Sequence, residues 1–402
     1  MSVSIISDIH KALKEESILN AVSGWIFTNF HNRDSFTDEL LSIPRDIVST
    51  RRWIYIVLTN GTELKIQHAI EPHALDTLPS SAVYSYSSQT GLQTILTEIS
   101  VKYGNKFAVL SDADISVIST VDGGFISLLE KCGITTTTAA PLVQRCKGLL
   151  SQKQIDSQER AETVLYQIVY DTWQMICNRY STKMSVSEYE VQQFIMSQFE
   201  KNNLITDHPP IVAFGPHAGD PHYEPSETES ALAREGDVIQ LDIWAKEKET
   251  DSIYADISWV CFYGKKVPDS IAECWETLTK ARDCVCPLIE SSGKVTGAYL
   301  DENVRKILID AGYEHGLKHR TGHGIDTECH GSGVNLDSVE FPDRRFLLEG
   351  SCFSVEPGLY FNDFGLRTEI DIYIKDGKPV ISGRKNITCP LEIPQKNILT
   401  IL

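Results

Sequence analysis

Residues 236–263 read GDVIQLDIWAKEKETDSIYADISWVCFY, two apolar runs joined by a polar linker. VIQLDIWA and YADISWVCFY alternate with period two and are rich in β-branched and aromatic residues, so each is predicted as a strand. Each carries one acid in apolar company: Asp242 between Leu241 and Ile243, Asp256 between Ala255 and Ile257. A lone strand carboxylate ordinarily lies on the solvent face. Two later segments repeat the pattern, however. FSVEPGLY holds Glu356 between Val355 and Pro357, and GLRTEIDIYI holds Glu369 inside an alternating run. If the four converge, each close pair repels by roughly 4 kcal/mol at an effective dielectric of about 20. Raised pKa values or a cation must then neutralise them. His323, in a TGHG turn, adds one imidazole, and this donor set suits two divalent ions, manganese-like rather than thiolate-zinc.

Working outward, Gln154 to Cys177 carries a helical stripe of apolar residues. Ser185 is expected to open a second helix, with Glu188 three residues on as its capping-box partner. Pro268 to Ile289 and Tyr299 to Ala311 read as further helices, the latter closed by Gly312. CFSVEP and LRTEIDIYI read as strands, the second running into a Lys375-Asp376-Gly377-Lys378 hairpin turn. Strands joined by hairpins and interrupted by helices predict an α+β layout, an antiparallel sheet with helices packed on one face. Upstream the pattern is α/β. Trp53–Leu58 and Thr62–Ile66 flank an Asn60-Gly61 hairpin signal, Lys106–Leu110 is a buried-strand candidate, and Ile126–Lys131 looks helical. A four-threonine run at Thr135–Thr138 and Pro141 follow, and the boundary is expected near residue 150, giving domains 1–150 and 151–402.

The 402 residues, 42% hydrophobic and 23% charged, have a globular composition. Lys and Arg number 37 against 55 Asp and Glu, a net charge of −18, which repels phosphate backbones and argues against nucleic-acid partners. The N-terminus lacks a signal-peptide pattern and no apolar run is long enough to span a membrane. Ten scattered cysteines without a CxxC pair fit reduced thiols, so the expected location is cytoplasmic. There is no GxSxG elbow, no GxxxxGK[ST] loop and no GxGxxG after a strand, and no cysteine sits in an obvious catalytic signature.

The order Asp242, Asp256, His323, Glu356, Glu369, in the contexts GDVIQLDIWA, YADISW, TGHGI, FSVEPGLYF and FGLRTEID, resembles the pita-bread metallopeptidases. These include aminopeptidase P, Xaa-Pro dipeptidase (prolidase) and methionine aminopeptidase, with creatinase as a metal-free relative. The resemblance implies a C-terminal pita-bread domain preceded by a smaller α/β domain similar to the creatinase/prolidase N-terminal domain, which favours the proline-directed branch. It further implies that Asp242 chelates one ion, that His323 and Glu356 hold the other, and that Asp256 and Glu369 bridge them. A metal-bridging hydroxide would be the nucleophile and Glu356 the proton shuttle. The implied ions are manganese first, with cobalt, zinc or iron as other options.

By the same resemblance, His222 in GPHAGDPHYEP contacts substrate, and His330, seven residues after His323, stabilises the tetrahedral intermediate. His319 lies near the substrate pocket, and Arg367 orients the bridging carboxylates. The implied activity is hydrolysis of Xaa-Pro bonds in short peptides with proline second, as a dipeptidase or an aminopeptidase, by a homodimer. A different reaction on the same fold, or a non-catalytic binding role, are the alternatives. Several departures bear on substrate choice. The loop AKEKETDSIYA is longer than usual and contains Asp251 as a rival to Asp256; Ser258-Trp259 stands where threonine-arginine is common; and GHGIDTECHGSGVN puts Asp326 and Gly331 beside the substrate wall. Arg344 and Arg345 lie where a carboxylate-clamping arginine can occur, or form a solvated loop pair.

Overall fold

Asn60-Gly61 sits in a tight turn with Gly61 at φ +87°, and the Leu58 amide donates to the Thr62 carbonyl at 2.9 Å across it. The turn joins β2 to β3 in the first of two units into which the computed structural model divides, Met1–Lys147 and Gly148–Leu402. The structure describes residues 2–44, 46–47 and 49–401, with residues 2–4 and 16–20 as backbone only.

The first unit runs α1 (Ser2–Asn20), β1 (Gly24–Asn29), α2 (Ser35–Leu40), β2 (Trp53–Leu58), β3 (Glu63–His68), β4 (Ala82–Tyr86), α3 (Gln89–Tyr103), β5 (Lys106–Val109), α4 (Gly123–Lys131), β6 (Thr135–Thr138) and α5 (Ala140–Lys147). Its strands form one mixed sheet in the order β4-β3-β2-β1-β5-β6. Helices cover both faces, so the central strands β1 and β2 are buried at every position. Trp25, Phe27, Trp53 and Tyr55 enter one core, while Ile26, Ile54, Ile56 and Phe107 enter the other. The four-threonine run, which had no element assigned to it, is the edge strand β6, paired parallel to β5. Threonine is β-branched and suits a half-covered edge.

The second unit comprises α6 (Gln152–Ser181), α7 (Glu188–Lys201), β7 (Leu204–Ile205), β8 (Ile211–Phe214), β9 (Val238–Glu247), β10 (Ala255–Tyr263), α8 (Asp269–Asp283), α9 (Val285–Ser292), α10 (Gly297–Asp310), β11 (Cys352–Val355), β12 (Gly358–Tyr360), β13 (Gly365–Arg367), β14 (Ile370–Lys375), β15 (Lys378–Ile381) and β16 (Leu399–Ile401). Antiparallel β9 and β10 are its centre, with β16 beyond β10 and with β7 and β8 along the other edge of β9. One face of β9/β10 (Leu241, Ile243, Ile257, Trp259) packs under α6, and α7 covers β7 and β8 in the same core. Val238, Val260 and Phe262 on the opposite face join α8, α10 and β11–β14 in a second core.

Two expectations are corrected. The helix after α6 is capped by Ser187 with Glu190 as its reciprocal partner, not by Ser185 with Glu188. Serine recurs at 185 and 187, and either spacing satisfies the local pattern; the β-bridge from Ser187 to Leu232 favours the later one. LRTEIDIYI is not one strand. It breaks at Thr368-Glu369 into β13, paired with β12, and β14, paired with β11. The ladder breaks opposite Glu356-Pro357, where proline offers no N–H to continue it.

Candidate metal centre

The register of β9 and β10 builds the first half of the site. Ser258 lies opposite Asp242, and Asp256 lies opposite Trp244. Asp242 and Asp256 are therefore diagonal neighbours on one face, the face turned away from α6 and α7. Both are buried, unlike the usual lone strand acid on a solvent face.

The broken ladder supplies the two glutamates. Past Val355, the Glu356 amide turns to the Thr321 carbonyl at 2.7 Å; ahead of Ile370, the Glu369 amide turns to the Ser258 carbonyl at 3.3 Å. Each glutamate sits where its strand leaves one partner for another, so its side chain is free of strand alternation. His323 arrives on a segment threaded between Leu336 and Phe353, bridged at Gly322 and Gly324. Only glycine fits there: a Cβ at Gly322 would lie 2.1 Å from the Ser354 carbonyl oxygen, and one at Gly324 would lie 2.6 Å from the Gly333 backbone.

Asp242, Asp256 and Glu369 form one group of potential metal donors, and His323, Glu356 and Glu369 a second, the donor atoms of each lying within 4.8 Å of one another. His323 Nε2 is 3.3 Å from Glu356 and 3.5 Å from Asp256. All five sequence-derived candidates thus meet. Asp251 does not: it is exposed in the linker turn at φ +66°. The electrostatics are those of clustered carboxylates that positive charge would stabilise. Burial, then the neighbouring acids, push the Asp242 carboxyl up to about 6 against the pull of Arg367. Burial and the Asp256, Glu356 and Asp242 carboxylates raise Glu369 well above its ordinary range. Burial opposes charge on Glu356 as well, but His323, His319 and Arg367 outweigh it and hold that carboxyl down. Burial also works against a charged His323, and Asp256 and Glu356 outweigh it. Asp256 Oδ1 is buried with no hydrogen-bond partner, a position a divalent cation would satisfy.

Around this cluster the outer residues separate by what they touch. The buried Arg367 bonds Asp242, Ser258 Oγ (3.1 Å) and Tyr360 Oη (3.0 Å), and reaches the Pro221 carbonyl (3.4 Å). Ser258 Oγ in turn lies 2.9 Å from Asp242 and 2.7 Å from Glu369. His319 contacts Tyr360 Oη through Nε2 at 2.8 Å, and burial lowers its pKa. The His330 ring stands edge-on to His323, centroids 4.4 Å apart; the charge of His323, then desolvation, push its pKa down to about 4. His222 is exposed on the loop after β8 and belongs to none of the donor groups. Arg345 is neither a solvated loop residue nor a free clamp. It is buried, paired with Asp343 at 2.6 Å, and donates to the carbonyls of Ser332 and Gly333; Arg344 is exposed.

Sequence reasoning missed four residues that the tertiary structure recruits. Tyr360 links His319 to Arg367, and Asp371 accepts the Asp256 amide at 2.9 Å. Glu188 is fully buried and gathers the loop after β8, accepting from the amides of Phe214 and Ala231 and from Tyr223 Oη, with His217 Nδ1 at 2.9 Å. Cys329 Sγ lies 3.0 Å from Asp256 Oδ2 and forms a third donor group with Asp256 and His323. Burial and then Asp256 keep that thiol protonated as it stands. Of these, only the carboxylate of Asp371, in an otherwise apolar strand, left a signal comparable to those that were followed.

The profile of metallopeptidase family M24 matches residues 158–376, more than half of the chain. The chain belongs to that family, and its second unit has the pita-bread fold. An uncharacterized peptidase of Schizosaccharomyces pombe is 25% identical over 295 residues, 72% of this chain and 62% of that protein. A Xaa-Pro dipeptidase of Lactobacillus delbrueckii subsp. lactis is 30% identical over 213 residues, 52% of this chain and 53% of that one. The matches thus span little more than half the length of these curated relatives. The crystal structure of dipeptidase PepE from Mycobacterium ulcerans superposes with a TM-score of 0.70 at 18% identity, covering 100% of this chain and 99% of that one. Among the described residues, no helix is long and apolar enough to cross a membrane.

Proposed function

We propose that the chain is a dinuclear metallo-exopeptidase that hydrolyses Xaa-Pro bonds in short peptides with proline in second position. The observation that carries this is the convergence of Asp242, Asp256, His323, Glu356 and Glu369 into two donor groups that share Glu369, with Asp256 also grouped with His323. Similarity to a Xaa-Pro dipeptidase supports the proline preference. Asp242, Asp256 and Glu369 would hold one ion; His323, Glu356 and the shared carboxylates the other. Four of these five ligands are carboxylates, so manganese is the first ion to try. When bound, the ions supply an acidified water and a Lewis acid for the scissile carbonyl.

The protein's own groups divide the remaining work. Glu356, held ionised by His323, His319 and Arg367, would accept the water proton and return it to the departing proline nitrogen. His330, edge-on to His323 with its pKa pushed down beside that ring and by burial, would donate an N–H to the developing oxyanion. Arg367 and Ser258 would fix the orientation of Asp242 and Glu369. His222 and His319 would contact the substrate. The family resemblance supports a homodimer, which light scattering checks. Scattered cysteines without a pairing motif support a cytoplasmic location, and the net charge of −18 argues against nucleic-acid partners.

The test is mass spectrometry of Xaa-Pro dipeptides and of longer peptides beginning Xaa-Pro after incubation with manganese-loaded protein. Cleavage confined to dipeptides defines a prolidase; release of the first residue from longer peptides defines an aminopeptidase P. Absence of both cleavages, with two ions verified per chain, rejects the proposal in favour of another reaction on this fold. Glu356→Gln should lower kcat by at least ~10²-fold. A variant retaining full turnover would remove Glu356 from proton transfer.

A further inference from the structure

Cys329 lies on a loop that the fold holds in one place. Asp326, itself buried, accepts the amides of Glu328 at 2.9 Å and Ser332 at 2.7 Å, closing residues 326–332 around its carboxylate. The Gly331 amide donates to the Gly324 carbonyl at 2.7 Å, and a Cβ on Gly331 would lie 2.7 Å from Asp326 Cγ. Tyr254, just ahead of β10, donates its amide to the Asp326 carbonyl at 3.2 Å. Those contacts tie the loop to the strand that carries Asp256. Asp326 and Gly331, the departures noted in the sequence, therefore act together, and what they deliver to the centre is a thiol.

The thiol is placed as a donor. Its sulfur is 3.0 Å from Asp256 Oδ2, and the sulfur, an Asp256 oxygen and a His323 nitrogen all lie within 4.8 Å of one another. A tetrahedral zinc ion, with bonds of about 2.3 Å to sulfur and 2.0–2.1 Å to nitrogen, holds such donors about 3.6 Å apart. The second oxygen of the same aspartate, Oδ1, is buried and unpaired. A cation that takes Oδ1 would therefore stand on the same carboxylate that the Cys329 sulfur already touches.

We propose that Cys329 is a sixth protein ligand of the metal pair, bound to the ion on the His323 side, and that it makes that half of the site favour zinc over manganese. This rests on the dinuclear reading above and deepens it. On binding, the S–H bond breaks, the proton leaves to solvent, and a sulfur lone pair forms the metal bond, so no oxidant or reductant is needed. Thiolate is a soft donor that manganese accepts poorly and zinc accepts well. The two halves of the site then differ: Asp242, Asp256 and Glu369 form an all-oxygen half, and His323, Glu356 and Cys329 a mixed one.

The test loads metal-depleted protein with cobalt(II) and records absorption together with metal content. Wild type should bind two cobalt ions per chain and show a thiolate-to-cobalt charge-transfer band in the near ultraviolet. Cys329→Ser should keep the visible cobalt bands and lose that one. X-ray absorption of zinc-loaded wild type should give a sulfur neighbour at about 2.3 Å, a readout independent of any variant's folding. In competition, Cys329→Val should lower the preference for zinc over manganese at least ~10-fold. Two bound cobalt ions without the band, or a band that persists in Cys329→Ser, overturns the sulfur ligand and leaves the peptidase reading standing. Failure of wild type to bind cobalt overturns both.

Discussion

Three buried carboxylates and a half-buried one around a single imidazole give the site its pH dependence. Asp242 holds its proton up to about 6 in the folded protein, and Glu369 holds its proton well above the ordinary range. In the unfolded chain both lose it near about 4. Between these values the metal-free fold binds more protons than the unfolded chain, so its stability falls as pH rises through the window. A divalent ion reverses the penalty but must displace those protons first. The rise in Tm on adding manganese should therefore grow as pH increases from about 5 to about 7.5. Melting curves in chelator and in manganese across that range test it; a shift that is flat or shrinks would count against carboxylates held protonated by burial.

Among the elements, the loop after β8 shows how one buried acid organises a whole segment. Glu188 opens α7, yet its carboxylate faces inward and takes two backbone amides, a tyrosine hydroxyl and a histidine from residues 214–231. His217 stacks on Tyr223 in that same loop, ring centroids 4.2 Å apart, and Pro221 reaches Arg367. Glu188→Ala would strand the Phe214 and Ala231 amides and should cost about 2–4 kcal/mol. Because no metal donor is touched, KM should rise more than kcat falls, with Glu188→Gln recovering part of the loss. Steady-state kinetics beside thermal melts separate the two effects; an unchanged KM would mean that the loop makes no contact with substrate.

At the level of the whole molecule, each unit owns its core. Both faces of the six-stranded sheet are filled from within Met1–Lys147, and the metal donors all come from Gly148–Leu402. A ligand that binds only the folded second unit stabilises that unit by mass action. Calorimetry should accordingly resolve a transition that manganese moves upward and another that it leaves in place. A single transition moving as a whole would show that the two units unfold together.

The amino-acid sequence determined the central strands β9 and β10, the β2/β3 hairpin, most of the helices and the identity of the five candidate ligands, because period-two and period-3.6 patterning and an acid among apolar neighbours are local facts. The short or edge strands β4, β6, β7, β8 and β16, and β1, carried no such pattern. It did not contain their meeting. Asp242 and Asp256 share a site because Asp256 pairs with Trp244 rather than with a residue one place along, which would have turned the whole strand over. Glu369 was read inside a continuous strand, and only the exchange of partners at Glu356-Pro357 revealed the break that frees it. Glu188 was read as a helix cap because capping is judged over three residues, whereas its actual partners lie 26 to 43 residues away. Cys329 left no mark in the sequence. A cysteine in a loop resembles any small apolar residue until folding sets its sulfur 3.0 Å from Asp256, and proximity of that kind exists only in three dimensions.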